Sequence, residues 1–323
     1  MPRNRLISPK NNNNTMPYPI EEKLVIAVSS SALFNMLDSD AIFTTHGEEE
    51  YRKYQTKHID TPFEKGVAFP FVQRLLSLND SFPELLPVEV VLFSKNSPET
   101  GLRAFRSIEH YGLDISRACF SSGKSNYQYL PAFNSALFLS ANRGDVEEAI
   151  RMGCAAGVVL AKEIIDEEDD NELRIAFDFD GVIADDSAEK VYKSDGISSY
   201  MDHEKSFANL PLALGPIGIL LKRISVFQKL ERDKYEGDNT YRRILKTSIV
   251  TARNAPAHER VVTTLRELDV EVDEVFFLGG IEKSRILNVL KPHIFFDDQR
   301  VHLDALGHIP AVHIPFGIAN GDS

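Results

Sequence analysis

Short apolar runs alternate along this chain with stretches of helical spacing. In the first half, Leu24-Val25-Ile26-Ala27-Val28, residues 88–93 and residues 136–139 read as buried strands. Between them, Phe71, Val72, Leu75 and Leu76 follow Pro70 at helical spacing, and Leu102, Phe105, Ile108 and Tyr111 mark an amphipathic helix stopped by Gly112. The pattern continues as a predicted helix from residue 145 to about 164. In the second half, Ile175-Ala176-Phe177 and the runs at 248–250, 275–278 and 294–296 are again strand-like. Such alternation predicts an α/β fold of two Rossmann-like parallel-sheet units with crossover helices. Residues 166–172, six of them acidic, read as the linker, which gives domains over 21–165 and 173–323. The polar stretch over residues 1–20, with its Asn11-Asn12-Asn13-Asn14 run, is expected to be a disordered arm.

Composition narrows the class. With 323 residues the length suits two domains, and 43% hydrophobic with 26% charged residues is ordinary for a soluble globular chain. A formal net charge of -12 speaks against nonspecific nucleic-acid binding, which needs clustered Lys and Arg. It also gives an anion no long-range attraction, so a phosphate site would have to be locally positive. The two cysteines, Cys119 and Cys154, lie in apolar surroundings and read as buried thiols of a reducing compartment. No run is long and apolar enough for a membrane span and no signal-peptide pattern opens the chain, so a cytoplasmic protein without a membrane partner is expected.

The candidate chemistry centres on Phe177-Asp178-Phe179-Asp180-Gly181. Open α/β sheets bind ligands where side chains leave the carboxyl ends of strands, and Asp178 and Asp180 follow such a strand. Two residues apart on an extended chain, they point the same way and repel unless a cation or shared proton relieves them. Magnesium, which takes carboxylate and phosphate oxygens, is the simplest relief, and Gly181 lets the chain turn away. A calcium loop also uses Asp-x-Asp-Gly, but it lies between helices and needs further ligands that are missing at this spacing. Three later strand ends carry more chemistry: Val250-Thr251-Ala252-Arg253, Leu278-Gly279-Gly280-Ile281-Glu282-Lys283, and Phe296-Asp297-Asp298-Gln299. Singly these read as a strand cap, a solvated lysine and a helix N-cap.

In this order the four segments resemble the motifs of the haloacid-dehalogenase-like phosphohydrolases. A closer resemblance is to the type I cytosolic 5'-nucleotidases, and it spans about residues 24–317. It is carried by Val28-Ser29-Ser30-Ser31-Ala32-Leu33-Phe34, Phe69-Pro70-Phe71-Val72, Ser107-Ile108-Glu109-His110-Tyr111-Gly112-Leu113, His203-Glu204-Lys205, Pro211-Leu212-Ala213 and Lys291-Pro292-His293-Ile294 with the paired acids that follow. The resemblance implies magnesium-dependent hydrolysis of nucleoside 5'-monophosphates, AMP among them. It implies Asp178 as nucleophile, Asp180 as general acid and base, and Thr251 and Lys283 as holders of the phosphoryl oxygens. Magnesium would be held by Asp178, the Asp180 backbone carbonyl and one of Asp297 and Asp298; Asp297 is favoured, with Asp298 orienting Lys283 or a metal-bound water. Arg253 and Lys205 are the expected substrate contacts, Lys205 from a lid over residues 186–211 that alone would read as solvated surface. Animal members have Gly where this chain has Phe179, which leaves base and sugar preference open. The rival readings are a phosphatase for another small phosphate ester and a catalytically silent nucleotide-binding regulator. Oligomeric state is not legible.

Setting the halves side by side adds one expectation. Ser29 and Ser31 match Asp178 and Asp180, Ser94 matches Thr251, and Ser140 matches Asp297; Lys124 matches Lys283 if a two-residue gap is allowed. The first half is therefore expected to be a degenerate copy of the phosphohydrolase core, without catalytic acids. Ser29, Ser94 and Lys124 could then hold a phosphate, such as that of a regulatory nucleotide, unless the copy is only a packing partner.

Overall fold

The computed structural model describes residues 18–321 apart from Glu168, so the arm expected over residues 1–20 lies outside the described residues up to position 17. Tyr18 already belongs to the fold: Arg117 stacks 3.8 Å from its ring centroid, and its hydroxyl donates to Glu89 at 2.5 Å. The expected arm is too long by its last residues, because an aromatic ring with a polar tip found a buried partner.

In chain order, the first half runs β1 (Leu24–Ser29), α1 (Ser30–Leu33), β2 (Phe34–Asn35), α2 (Leu37–Lys57), β3 (Glu64–Lys65), α3 (Phe69–Ser81) and β4 (Val88–Ser94). It continues with α4 (Pro98–His110), β5 (Arg117–Phe120), β6 (Ser135–Ser140), α5 (Arg143–Arg151) and β7 (Ala156–Val159). The second half runs β8 (Leu173–Phe177), α6 (Ser187–Ser206), α7 (Gly218–Gly237), β9 (Leu245–Thr251) and α8 (His258–Glu267). After these come β10 (Glu274–Phe277), α9 (Lys283–Leu290), β11 (Ile294–Asp297), α10 (Arg300–Asp304) and β12 (Ala311–His313). Apart from a ribbon of β2 and β3, the strands form one ten-stranded sheet in the order β10-β9-β8-β11-β12-β7-β6-β1-β4-β5.

Within each half every pairing of this sheet is parallel, and the halves join where β12 meets β7 antiparallel, His313 opposite Val158. Outward from that seam the order is β7-β6-β1-β4-β5 on one side and β12-β11-β8-β9-β10 on the other, strand for strand the same order. Parallel strands covered on both faces need apolar residues throughout. Accordingly Ile26, Leu92, Ile175 and Phe296 face one core while Ala27, Phe93, Ala176 and Phe295 face the other.

One expectation is corrected. The helix predicted for residues 145–164 stops at Arg151: Gly153 has φ 78°, and Ala156–Val159 is needed as the seam strand β7. Gly157 permits the seam, since a Cβ there would meet Val312 Cγ1 at 2.4 Å. Several residues of the acidic segment expected as the linker have partners. The buried Arg74 on α3 pairs with Asp166 at 2.8 Å and donates to the carbonyls of Glu167 and Asp170. Asp170 in turn pairs with Arg174 at 2.5 Å.

Candidate active site

From β8 the chain proceeds to β9 and β10 on one side and then crosses to β11 on the other. The crevice beyond the carboxyl ends of β8 and β11 is thus the switch point of this half, where open α/β sheets hold ligands. Asp178 leaves the end of β8, Asp297 ends β11, Thr251 ends β9, and Lys283 opens α9, so four short loops bring distant residues together.

Lys283 bridges the acids: its Nζ lies 2.6 Å from Asp178 Oδ2 and 2.7 Å from Asp297 Oδ2, and all three side chains are buried. Burial alone would discharge the lysine, but Asp178 and Asp297 outweigh it and keep the ammonium charged. The two acids then separate. Burial raises Asp297, yet Lys283 and His302 overcome this and hold it below the usual range. Burial dominates at Asp178 despite Lys283, with Asp297 and Asp180 adding repulsion, and pushes it up to about 7.

The expected roles of the paired acids are reversed for Lys283. Asp297, not Asp298, contacts it, and the remaining capacity of Asp297 is taken by the Gln299 amide at 2.7 Å and by His302 Nδ1 at 3.0 Å. Asp298 is 1% exposed, and neither of its carboxylate oxygens has a hydrogen-bond partner among the described residues. Burial, then Asp178, Asp297 and Glu189, push it up to about 9. Gly181, at φ 72°, lets the Asp178 loop lie against this carboxylate; a Cβ there would stand 2.5 Å from Asp298 Oδ2. A buried, partnerless carboxylate beside other acids is what a cation would satisfy. Asp178, Asp297 and His302 also offer ligand atoms within 4.8 Å of one another, but Asp297 already accepts from Lys283, Gln299 and His302, whereas Asp298 has no partner, so Asp298 is the acid a cation beside Asp178 would satisfy.

Asp180 is gripped by Arg253, whose Nε and Nη2 donate to its two oxygens at 2.8 and 2.7 Å. Arg253 Nη1 donates to Glu204 of α6, which also receives Arg260 Nη1 at 2.8 Å. Arg253 lines the crevice, but its fork is committed to Asp180. Thr251 also lines it, 1% exposed, its hydroxyl accepting the Arg253 amide at 3.2 Å.

The lid expected at 186–211 is α6, broken at Gly196 (φ 79°) into two short helices. It roofs a cavity of about 360 Å³ with Tyr192, Ile197, Tyr200 and Met201. Lys205 is not part of this lining; it is exposed on the last turn of α6. Successive helical residues point different ways, and the two arginines below draw in its neighbour, Glu204, instead. Glu204, Tyr192 and Tyr200 were the missed residues; Tyr200 and Glu204, four apart on the second short helix, share one face, a spacing that could have found them.

In the first half, Ser29 and Ser94 line a second cavity, while Lys124 is exposed and does not. The gap that put Lys124 on Lys283 is absent. Ser122 and Gly279, with φ 49° and 55°, donate their amides to Asn96 O and Arg253 O, so Asn126 takes the place of Lys283. Cys119 and Cys154 are free and partly buried.

Fold and cluster together define a Rossmann-like α/β protein with a lysine-bridged acidic site at its switch point under a helical lid. The family model described as 5'-nucleotidase matches residues 16–321, and the chain belongs to that family. It is similar to the human protein named cytosolic 5'-nucleotidase 1B, with 36% identity over 315 residues, 94% of this chain and 51% of that protein. The chain thus spans about half the length of the curated relative it matches. No solved structure matches. No helix among the described residues is long and apolar enough to cross a membrane.

Proposed function

We propose that this chain is a magnesium-dependent 5'-nucleotidase, hydrolysing nucleoside 5'-monophosphates such as AMP to nucleoside and phosphate. The observation that carries this is the Asp178–Lys283–Asp297 bridge beside the partnerless Asp298. Asp178 and Asp298, with the Asp180 carbonyl, would hold magnesium, which would supply charge neutralisation for the phosphoryl oxygens. Asp178 attacks phosphorus; the new O–P bond forms as the bond to the ribose 5'-oxygen breaks, leaving an aspartyl-phosphate. Asp180 gives the departing oxygen its proton, then takes one from the water whose attack releases phosphate and restores Asp178. Thr251 and Lys283 hold the phosphoryl oxygens in line.

For the second step, the Arg253 fork holds both oxygens of Asp180 in place. For the first, Asp180 must carry a proton, so Arg253 must release one oxygen. Glu204, which shares Arg253, is placed to take up the freed guanidinium. Arg253 is thereby a positioning residue that links lid and acid. The similarity to a protein named cytosolic supports a cytosolic location. A panel of nucleoside monophosphates and other phosphate esters, assayed for phosphate release with magnesium and with EDTA, tests the reading. Release should favour the nucleotides and vanish both in EDTA and in Asp178→Asn; undiminished release in either condition would overturn it.

A further inference from the structure

The two halves agree in more than strand order. Arg103 Nε donates to Thr61 O at 2.8 Å and its Nη1 to Gln55 at 3.1 Å. Arg260 Nε donates to Leu210 O at 2.9 Å and its Nη1 to Glu204 at 2.8 Å. Ser107 and Thr264 each accept a loop amide at 3.0 Å, from Phe63 and Leu212. Helix α2 breaks at Gly47 with φ 81° and ψ -176°, and α6 breaks at Gly196 with φ 79° and ψ 179°. Residues 29–63 correspond to 178–212 at one offset (29 to 178), and residues 94–142 to 251–299 at another (94 to 251), without interruption. Hydrogen bonds that serve no catalytic purpose recur at the same positions, which is the mark of a duplicated unit that includes the lid.

The register shows what was replaced. Serines stand for Asp178, Asp180 and Asp297, namely Ser29, Ser31 and Ser140. Ala141 stands for Asp298, Asn126 for Lys283 and Asn96 for Arg253. No carboxylate remains at the matched positions to attack phosphorus or hold a divalent cation. The cavity remains: it measures about 690 Å³ against about 360 Å³ in the second half. Tyr51 and Phe43 of α2 line it where Tyr200 and Tyr192 line the other, and the Tyr51 hydroxyl donates to Asn96 Oδ1 at 3.0 Å, tying lid to strand end. A copy kept only for packing would have no need of a lidded hollow whose strand ends offer serine and asparagine side chains, with Asp40, Glu48 and Asp145 at its wall. Its two cations are already paired, Lys95 with Asp145 and Glu148, and Arg52 with Glu48. The lining therefore suits ribose hydroxyls, a base edge and an aromatic face more than a phosphate.

We propose that the cavity of the first half is a second, non-catalytic site that binds a nucleoside without a cation. Its ligand class rests on reading the second-half cavity as a nucleotide site. Calorimetric titration of the full chain in EDTA with adenosine, inosine and uridine, and with AMP, tests it apart from catalysis. At least one nucleoside should bind, and Asn96→Leu should weaken that binding at least tenfold while Tyr200→Leu leaves it. Ser31→Leu, at a part-exposed position, serves if Asn96→Leu does not fold. No binding of any nucleoside at millimolar concentration, or binding lost only in Tyr200→Leu, overturns the proposal. So does AMP binding this site more than tenfold tighter than adenosine, because that would make phosphate the recognised group. Loss of phosphate release in the magnesium assay would instead overturn the catalytic reading, whatever the EDTA titration gave.

Discussion

Replacing Glu204 by Gln keeps the shape of the lid contact and removes only its charge. Glu204 has no exposed surface and is the acid shared by Arg253 and Arg260. Burial pushes its carboxyl up, but the two guanidiniums outweigh that and hold it below the ordinary range. In Glu204→Gln, Arg253 keeps Asp180 as counter-ion, whereas Arg260, 10% exposed, loses the acid it pairs with among the described residues. Breaking one partner of a buried pair costs about 3–5 kcal/mol, and with one of two cations still neutralised the lower figure, about 3 kcal/mol, is expected. With a urea slope of about 3 kcal/mol per molar, the unfolding midpoint should fall by about 1 M at unchanged slope. The double variant Glu204→Gln/Arg260→Gln removes the stranded cation and should recover about half of that loss, a clear departure from additivity. The first half already shows the neutral arrangement, with Gln55 accepting from Arg103 and Asn96 where the second arginine would be. Urea melts followed by circular dichroism measure all of this. An unchanged midpoint in the single variant, or losses that simply add in the double, would refute the reasoning.

Three further outcomes are expected. Gly181→Ala places a methyl against the Asp298 carboxylate at a positive φ, so it should lose about 1–2 kcal/mol from the left-handed backbone alone and most of its activity; parental activity would count against the assigned loop. Gly157→Ala overpacks the seam against Val312 and should lower stability by about 1–3 kcal/mol, with phosphate release per folded molecule unchanged; a shift within error in the urea midpoint would disprove the seam packing. His293 accepts the Arg174 amide at 3.0 Å, and burial, aided by Arg74 and Arg174, lowers it to about 3. Below its unfolded value of 6.5 the unfolded chain takes the proton first, so stability present above about pH 6.5 is lost toward pH 3. Between pH 7 and 5 this removes about 2 kcal/mol, and His293→Gln should flatten that slope; an equal slope in both proteins argues against it.

The strand ends are the legible part of this chain, because a short apolar run that stops at a carboxylate or hydroxyl is a local signal. Asp178, Asp180, Thr251, Lys283, Asp297 and Asp298 were all found that way, and all come together at one switch point. What stayed hidden depends on three-dimensional partners. The division of labour between Asp297 and Asp298 follows from which carboxylate Lys283 reaches, and adjacent residues at a strand end give no hint of that. Lys205 is the substrate contact that the resemblance implies for the lid, but helix phase turns Glu204 inward instead. The run 156–159 was absorbed into a helix because its partner across the seam, β12, lies far along the chain. Lys124 drew a gap into the alignment because a charge match was weighted above the turn geometry that Ser122 and Gly279 share.

The electrostatics of the two cavities explain why one half could be emptied without losing its shape. In the second half, Asp178, Asp180, Asp297 and Asp298 cluster with Lys283 and Arg253, and His302 reaches Asp297. With four acids to two bases the site has an excess of acidic groups, and burial first, then the neighbouring acids, pushes up Asp298 and Asp178. An anionic substrate would be repelled until that excess is neutralised, so cation and phosphate should bind together in a chain whose formal net charge is -12. Removing one paired member of the six groups, such as Lys283 or Arg253, would strand buried charge. Removing all of them strands none. That is the condition of the first half, where serine, alanine and asparagine occupy the six positions and the same backbone turns, lid break and arginine contact remain. Partial decay of such a site is the costly course, and complete replacement by neutral residues is the stable one.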